Sequence, residues 1–302
     1  MRILISAAGS AAATGIIRHL RQLGHQVIGI DADQLAVPLA QDECDEFILA
    51  PLALHPDYPA FLTRLLPRFD LFIPFIDEEL RVLASEAVAP EVLTKTLLCP
   101  PETIELCTSK IRLQKFCEHH GLPIAPQTHQ LPAIFKPEYG RGGRGILRLD
   151  TPEQLACARQ QTGVIQTLLQ GTEYTVDVLA DAAGRWLFGL PRKRLQTAGV
   201  SRIGEIDQHP AVLALANRCV ESIPFAYGIN IQIMLDQANQ AHLIEINPRL
   251  AGSAIFSVAA GFDIFDLAIK LFTRQAISLP EADAIVRLRS IRYWQEKHYV
   301  VA

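Results

Sequence analysis

The stretch Tyr227–Gly252, YGINIQIMLDQANQAHLIEINPRLAG, constrains this chain more than any other. It reads as two strands, Ile229–Asp236 and Ala241–Ile246, joined by a polar turn of Gln237, Ala238, Asn239 and Gln240. Residues two apart on a strand share a face. With a turn of two or four residues, facing positions sum to 477, so Gln232 opposes Glu245 and Asn230 opposes Asn247. One face is then Asn230, Gln232 and Met234 against Asn247, Glu245 and Leu243. The other is Ile231, Ile233 and Leu235 against Ile246, Ile244 and His242. Such a register gathers polar oxygens on one side and branched apolar side chains on the other, which is how burial specifies a register. Directly opposed Cβ atoms lie roughly 4.5–5.5 Å apart, so Gln232, Glu245 and Asn247 can share one hard cation. Oxygen donors alone favour Mg²⁺ over Zn²⁺. An amphipathic hairpin with a solvated polar face has the same pattern, and the hairpin by itself leaves both readings open.

Through residue 98 strand and helix patterns alternate. Arg2–Ser6 leads through Ala7-Ala8-Gly9-Ser10 into a helix, Ala11–Leu23, closed by Gly24; strands follow at Val27–Asp31, Glu46–Leu49 and Leu71–Pro74. Strands spaced by helices indicate a parallel sheet with crossover connections, and hence an α/β fold. The glycine turn and Asp31 resemble a dinucleotide site. The loop AAGSAAATG lacks the G-x-G-x-x-G spacing, however, so a Rossmann-like shell without nicotinamide is the preferred reading. Asp77, Glu78 and Glu79 follow the fourth strand, where open sheets bind ligands. Acids also favour a helix start, and that reading is preferred, with Glu78 retained as a site candidate.

Further on, Thr108 or Ser109 can cap a helix running to His120, ended by Gly121. Ala133–Lys136 and Ile146–Leu149 read as strands around a loop, Tyr139–Gly145, in which Gly140, Gly142, Gly143 and Gly145 let backbone amides approach phosphate oxygens. Lys136, Arg141 and Arg144 add positive charge. A helix over 152–161 precedes a strand, turn and strand in VIQTLLQGTEYTVDVLAD, and another strand at Trp186–Leu190. Arg192, Lys193, Arg194 and Arg202 then form a candidate anion site, although a solvated charge run would look the same. A helix (Pro210–Glu221), the hairpin, two helices broken at Gly261, and a strand-like Ala284–Leu288 complete the chain.

Bulk properties narrow the class. A length of 302 residues suggests two domains, and a net charge of −4 without a Lys/Arg-rich block argues against a nucleic-acid partner. The 6 cysteines contain no CxxC pair, which fits reduced thiols better than a disulfide frame or a zinc site. No run reaches the ~18 apolar residues that a membrane span requires. The chain opens directly on the strand pattern MRILIS, with no charged leader, so a cytoplasmic location is expected.

Taken in order, Lys110, FKPEYGRGGRG, IQTLLQGTEYTVDVL, INIQIML and LIEINPRLAGS resemble the ATP-grasp superfamily, in its carbamoyl-phosphate-synthase-like and carboxylate–amine ligase branch. The resemblance covers nearly the whole chain. It implies a Rossmann-like pre-ATP-grasp domain over 1–98 and a two-lobed ATP-grasp domain over 99–302, with a small lobe at about 110–165 and a large lobe at about 166–302. It also implies roles. Lys110 and Lys136 would contact ATP phosphates under the mobile Tyr139–Gly145 loop, including Gly142 and Gly143. Gln166, Thr167, Leu168 and Leu169 would form the hinge that reads adenine, and Glu173 would hold the ribose hydroxyls. Gln232, Glu245 and Asn247 would bind Mg²⁺, with Mn²⁺ as the alternative ion. Arg249 would stabilise the transferring phosphoryl group, and Arg194 and Ser253 would face the substrate. The chain departs from the family where Ser109 replaces a common Asp, where Gln166 stands for an acid, and where the short 126–136 segment omits a helix. The implied activity is ADP-forming ligation of a small-molecule carboxylate to an amine, in a protein that can form a homo-oligomer. Three competing readings are a bicarbonate-activating enzyme, a non-catalytic ATP-binding module, and a nicotinamide oxidoreductase.

Overall fold

The computed structural model describes residues 1–300 except Glu86, Gly199 and Trp294, and gives only the backbone of Ala198 and Val200. The last two residues of the expected second domain, 301–302, lie outside the described residues.

Four short strands, β1 (Arg2–Ile5), β2 (Gln26–Asp31), β3 (Glu46–Leu49) and β4 (Leu71–Ile73), form a parallel sheet in the order β3-β2-β1-β4. Helices α1 (Ala13–Gln22), α2 (Val37–Glu43), α3 (Tyr58–Leu65), α4 (Asp77–Leu83) and α5 (Pro90–Leu93) connect and flank them. β1 and β4 are apolar on both faces because helices cover both. Gly9 in the first turn has a packing reason: a Cβ there would lie 2.3 Å from Ala36 Cβ. The turn thus packs directly against the chain leaving β2.

Two helices, α6 (Pro101–Thr108) and α7 (Lys110–His120), lead into the rest of the chain. The Ser109 hydroxyl caps α7 by accepting from the Arg112 amide at 3.2 Å, and Gly121 ends it at φ +64°. A small antiparallel sheet follows, ordered β6-β5-β7, from β5 (Ala133–Pro137), β6 (Leu147–Leu149) and β7 (Gly163–Thr167). Its own core consists of Ala133, Phe135 and Leu149 under helix α8 (Pro152–Ala158), three residues shorter than the predicted 152–161.

The main sheet is antiparallel, ordered β12-β11-β8-β9-β10-β13, from β8 (Gly171–Ala180), β9 (Trp186–Ala198), β10 (Val200–Ile206), β11 (Tyr227–Asp236), β12 (Ala241–Asn247) and β13 (Arg289–Ile291). Helices α9 (Pro210–Ser222), α10 (Ile255–Ala259) and α11 (Ile264–Phe272) pack on it. One apolar cluster runs continuously from Ile3, Ile17 and Leu71 to Leu179, Leu190 and Phe265. The parallel sheet and the main sheet therefore share a core.

Three expectations change. Strand Trp186–Leu190 extends to Ala198, so the Arg192–Arg194 cluster lies on β9 and alternates between its faces instead of forming one anion loop. The expected strand Ala284–Leu288 is displaced: Ala282–Ala284 is a 3₁₀ turn and the strand is Arg289–Ile291. The hairpin register is right at its functional end only. Asn230 pairs with Asn247 and Gln232 with Glu245, but beyond a bulge Met234 pairs with His242 and Leu235 with Ala241. The turn explains the shift. The Asp236 amide donates to the Gln240 carbonyl at 2.9 Å and Asn239 adopts φ +58°, leaving a three-residue loop of odd parity. The bulge around Ile244 restores the register where the polar face needs it.

Candidate functional site

A cavity of about 370 Å³ is lined by residues of both the small sheet and the main sheet. Its lining includes Lys136, Gly142, Gly143, Gln166, Thr167, Leu168, Leu169, Glu173, Arg194, Gln232, Glu245, Asn247 and Arg249. Of the residues expected to hold ATP or metal, Lys110 alone is elsewhere, lining an adjoining cavity of about 180 Å³ with Asp77, Glu245 and Asn247. Its Nζ donates to the Gly140 carbonyl at 3.0 Å, so Lys110 braces the glycine loop.

Each element delivers its side chain for a local reason. β5 and β7 pair so closely that a Cβ on Gly163 would lie 2.3 Å from the Lys136 carbonyl, and this pairing sets Lys136 under the cavity. Lys136 is 7% exposed and has no hydrogen bond or ion pair among the described residues. Burial, the largest influence, pulls its ammonium below the usual lysine value, and Lys110 pushes the same way; Glu245 and Glu173 oppose them. Gln166, 2% exposed on β7, donates to Gln114 Oε1 at 2.6 Å, while its own Oε1 has no partner. The loop between β5 and β6 takes positive φ at Gly140, Gly142, Gly143 and Gly145, a backbone that side-chain-bearing residues adopt only with strain. Contacts with α4 hold the loop: the Arg81 guanidinium lies 3.8 Å from the Tyr139 ring centre, and Arg141 Nε lies 2.9 Å from Glu78 Oε2.

Across the main sheet, Arg194 donates to both Glu173 and Gln232, the latter contact at 2.6 Å. Burial raises the Glu173 carboxyl above its usual range, with Arg194 as the chief opposing influence. Asn247 Nδ2 donates to Glu245 at 3.2 Å, and Arg249 Nη2 to Asn247 Oδ1 at 3.4 Å. Arg249 Nε also donates to Asp77 Oδ1 at 2.6 Å. Asp77 thus starts α4 and holds the arginine, a pairing 172 positions apart that no local pattern signals.

Beneath the cavity lies a polar cluster that sequence reasoning did not assemble. Arg192 is fully buried and donates to both oxygens of Asp177, to Ser257 Oγ at 3.0 Å and to Ser253 Oγ at 2.7 Å. Ser257 and Asn230 also donate to Asp177, at 2.6 and 3.1 Å. The available signal was an acid inside the apolar run YTVDVL. The cluster ties β8, β9 and β11 to the segment after Arg249, and Ser253 belongs to it while also lining the cavity.

The residues suit a phosphorylated nucleotide: a buried unpaired ammonium, a glycine loop and an unsatisfied glutamine acceptor line one cavity. For a divalent cation the fit is narrower. Among the described residues no group of three or more His, Cys, Asp or Glu could hold a metal. The available set is one carboxylate, Glu245, and the amide oxygens of Gln232 and Asn247. A cation binding there takes those oxygens from Arg194 and Arg249. Mg²⁺ tolerates such a set because it commonly binds through one or two carboxylates plus substrate phosphates.

Known proteins share this fold. Residues 159–294 match the family described as ATP-grasp in the biosynthetic pathway with Ter operon. The carbamoyl phosphate synthase large chain of Thermotoga neapolitana is 26% identical over 215 residues, which cover 60% of this chain and 19% of that protein. The chain thus spans about a fifth of the length of the curated relatives it matches. Among solved structures, N5-carboxyaminoimidazole synthetase from Staphylococcus aureus complexed with ADP superposes with a TM-score of 0.72 at 17% identity, covering 92% of this chain and 78% of that one. L-amino acid ligase from Bacillus licheniformis gives 0.68 at 15%, covering 90% and 74%. At these identities the structural likeness shows the fold. Among the described residues no helix is long and apolar enough to cross a membrane. This chain carries an ATP-grasp domain, with carbamoyl phosphate synthase large chains among its homologues.

Proposed function

We propose that this protein is an Mg-ATP-dependent, ADP-forming ligase that activates a small carboxylate as an acyl phosphate for attack by an amine. The observation that carries this reading is Lys136, a buried ammonium without a partner among the described residues, in one cavity with the glycine loop and the hairpin carboxylate Glu245. A polyanion supplies the countercharge that the fold withholds. Residues 1–98 form a Rossmann-like domain and 99–302 the ATP-grasp domain, whose small lobe ends near Thr167, where the small sheet ends. The Gln166–Leu169 backbone reads adenine, and Gln166 Oε1 is an acceptor an exocyclic amine can satisfy. Glu173 takes the ribose hydroxyls, exchanging them for part of its contact with Arg194.

In the first step a substrate carboxylate oxygen bonds to the γ-phosphorus and ADP leaves. Lys136 and Arg249 neutralise charge on the equatorial oxygens, and the glycine loop excludes water. The amine then bonds to the acyl carbon, phosphate leaves, and the amine's proton passes to solvent. Mg²⁺, held by Glu245, Asn247 and Gln232, would neutralise phosphate charge; Mn²⁺ has compatible oxygen chemistry. Both substrates are small molecules, and a homo-oligomer is compatible with the reading. Changing Glu245 to Ala should abolish ADP formation and leave the circular dichroism spectrum unchanged. ADP formation that survives the change contradicts the metal assignment.

A second reading makes bicarbonate the phosphorylated acid. The carbamoyl phosphate synthase homologues favour it over a non-catalytic ATP-binding module or a nicotinamide oxidoreductase. Acid-independent, bicarbonate-dependent ADP release would select it.

A further inference from the structure

The largest of the described cavities, about 530 Å³, lies outside the nucleotide site, at the carboxyl edge of the parallel sheet. Segments leaving all four strands wall it, contributing Ser10, Asp33, Leu52 and Glu78 among others. A smaller cavity of about 310 Å³ joins it to the nucleotide cavity. This junction shares Arg141 and Arg144 with the sheet-edge cavity, and Arg141 and Arg249 with the nucleotide cavity. Arg141 lines all three, so they form one cleft with a single arginine at its centre.

Charge changes sign along that cleft. The junction carries three arginines; Arg249 is paired with Asp77 and Arg141 lies beside Glu78, so its net positive charge rests on Arg144. Arg144 makes no side-chain hydrogen bond or ion pair among the described residues, and Arg141 Nε meets Glu78 without hydrogen-bond geometry. The far end offers acceptors. Asp33 uses one oxygen to accept the Leu35 amide at 2.9 Å, and its other oxygen has no partner among the described residues. Asp31 accepts the Gly9 and Asp33 amides at 2.9 and 3.0 Å and keeps further lone pairs. Leu52 and Leu54, 70% and 65% exposed, give this end an apolar rim.

We propose that the substrate carboxylate belongs to an extended molecule that spans the cleft. Its carboxylate lies at the Arg141 and Arg249 junction, and a tail bearing hydrogen-bond donors, hydroxyl or ammonium, lies against Asp33 and Asp31. The N-terminal sheet then selects the substrate. An acid with an apolar tail fits the volume but makes none of these charge-assisted contacts. Asp33 is a specificity-determining residue in this arrangement. The proposal rests on the ligase reading given above.

The test compares three six-carbon acids at equal concentration in an ADP-release assay with Mg-ATP and hydroxylamine as nucleophile: D-gluconate, 6-aminohexanoate and hexanoate. At least one donor-bearing acid should exceed hexanoate by about tenfold in kcat/KM; which one does so separates hydroxyl from ammonium recognition. Asp33→Asn retains the oxygen that caps Leu35 and removes the charge. It should raise KM for the favoured acid about tenfold with kcat changed less than threefold, and leave Mg-ATP binding by calorimetry unchanged. Hexanoate turning over as well as the others, or an unchanged KM in Asp33→Asn, overturns the proposal while the ligase reading stands. ADP release that no acid stimulates, with Mg-ATP still bound, sinks the ligase reading and this inference with it.

Discussion

Replacing Arg192 by Met tests how the cavity floor is held. Arg192 is 0% exposed in its side chain and Asp177 is 1% exposed, so water screens neither. The change removes two charge-assisted contacts to Asp177 and those to Ser253 and Ser257. Asp177 keeps only neutral donors, Ser257 at 2.6 Å and Asn230 at 3.1 Å. Removing one partner of a buried pair costs roughly 3–5 kcal/mol, and the surviving donors place the expected loss near the lower end. Methionine fills most of the arginine stem's volume, so little of the loss is cavity. Equilibrium urea unfolding followed by circular dichroism, at pH 7, measures it. The double variant with Asp177→Asn, which removes the stranded charge, should recover roughly 1–2 kcal/mol. A single-variant loss below about 1 kcal/mol, or a double variant that loses the sum of the two singles, would refute the claim that Asp177 depends on Arg192 for its charge.

Two further outcomes follow from the buried charges. Glu79 is fully buried between Ser6, at 2.5 Å, and Tyr58, and burial raises its carboxyl to about 7 from 4.5. Below 4.5 folded and unfolded chains both hold the proton, whereas between 4.5 and about 7 only the folded chain does. Stability therefore falls as pH rises through that window, by about 3 kcal/mol in total. Glu79→Gln should remove this dependence, read as the difference in urea midpoints between pH 5 and pH 8 for variant and parent; identical dependence in both disproves it. Lys136→Met should weaken Mg-ATP binding at least ~10-fold by calorimetry, consistent with losing a desolvated charge contact, yet leave thermal stability without nucleotide equal or higher, since its ammonium is held below its usual value. Binding within twofold of the parent would count against the phosphate role.

Much of the site was legible because strand alternation does the sorting. Glu245 and Asn247 share a face by period alone, and Gln232 and Asn230 opposite them followed from the apolar partners on the other face. The glycine loop and Lys136 are contiguous in sequence, so one local reading captured both. Other features were hidden for stated reasons. The hairpin's bulge compensates an odd-length turn, and nothing in the composition of QANQ distinguishes three loop residues from four. Arg192 and Arg194 look alike in a charge run and leave β9 on the same face, yet Arg192 reaches the buried Asp177 and Arg194 reaches Glu173 in the cavity, four positions away on the neighbouring β8. Asp77 with Arg249, and the cleft beyond Arg141, depend on how the parallel sheet packs against the main sheet. Sequence periodicity carries no information about that.

In the proposed reaction ATP phosphorylates a carboxylate. Incubating the protein with Mg-ATP, a mixture of carboxylic acids and hydroxylamine tests it most directly, with nucleotides and hydroxamates quantified together by mass spectrometry. The expected result is one ADP and one phosphate for each hydroxamate formed, and none of it in Glu245→Ala. Formation of AMP and pyrophosphate, or ADP release that is indifferent to added acids, would contradict the claim.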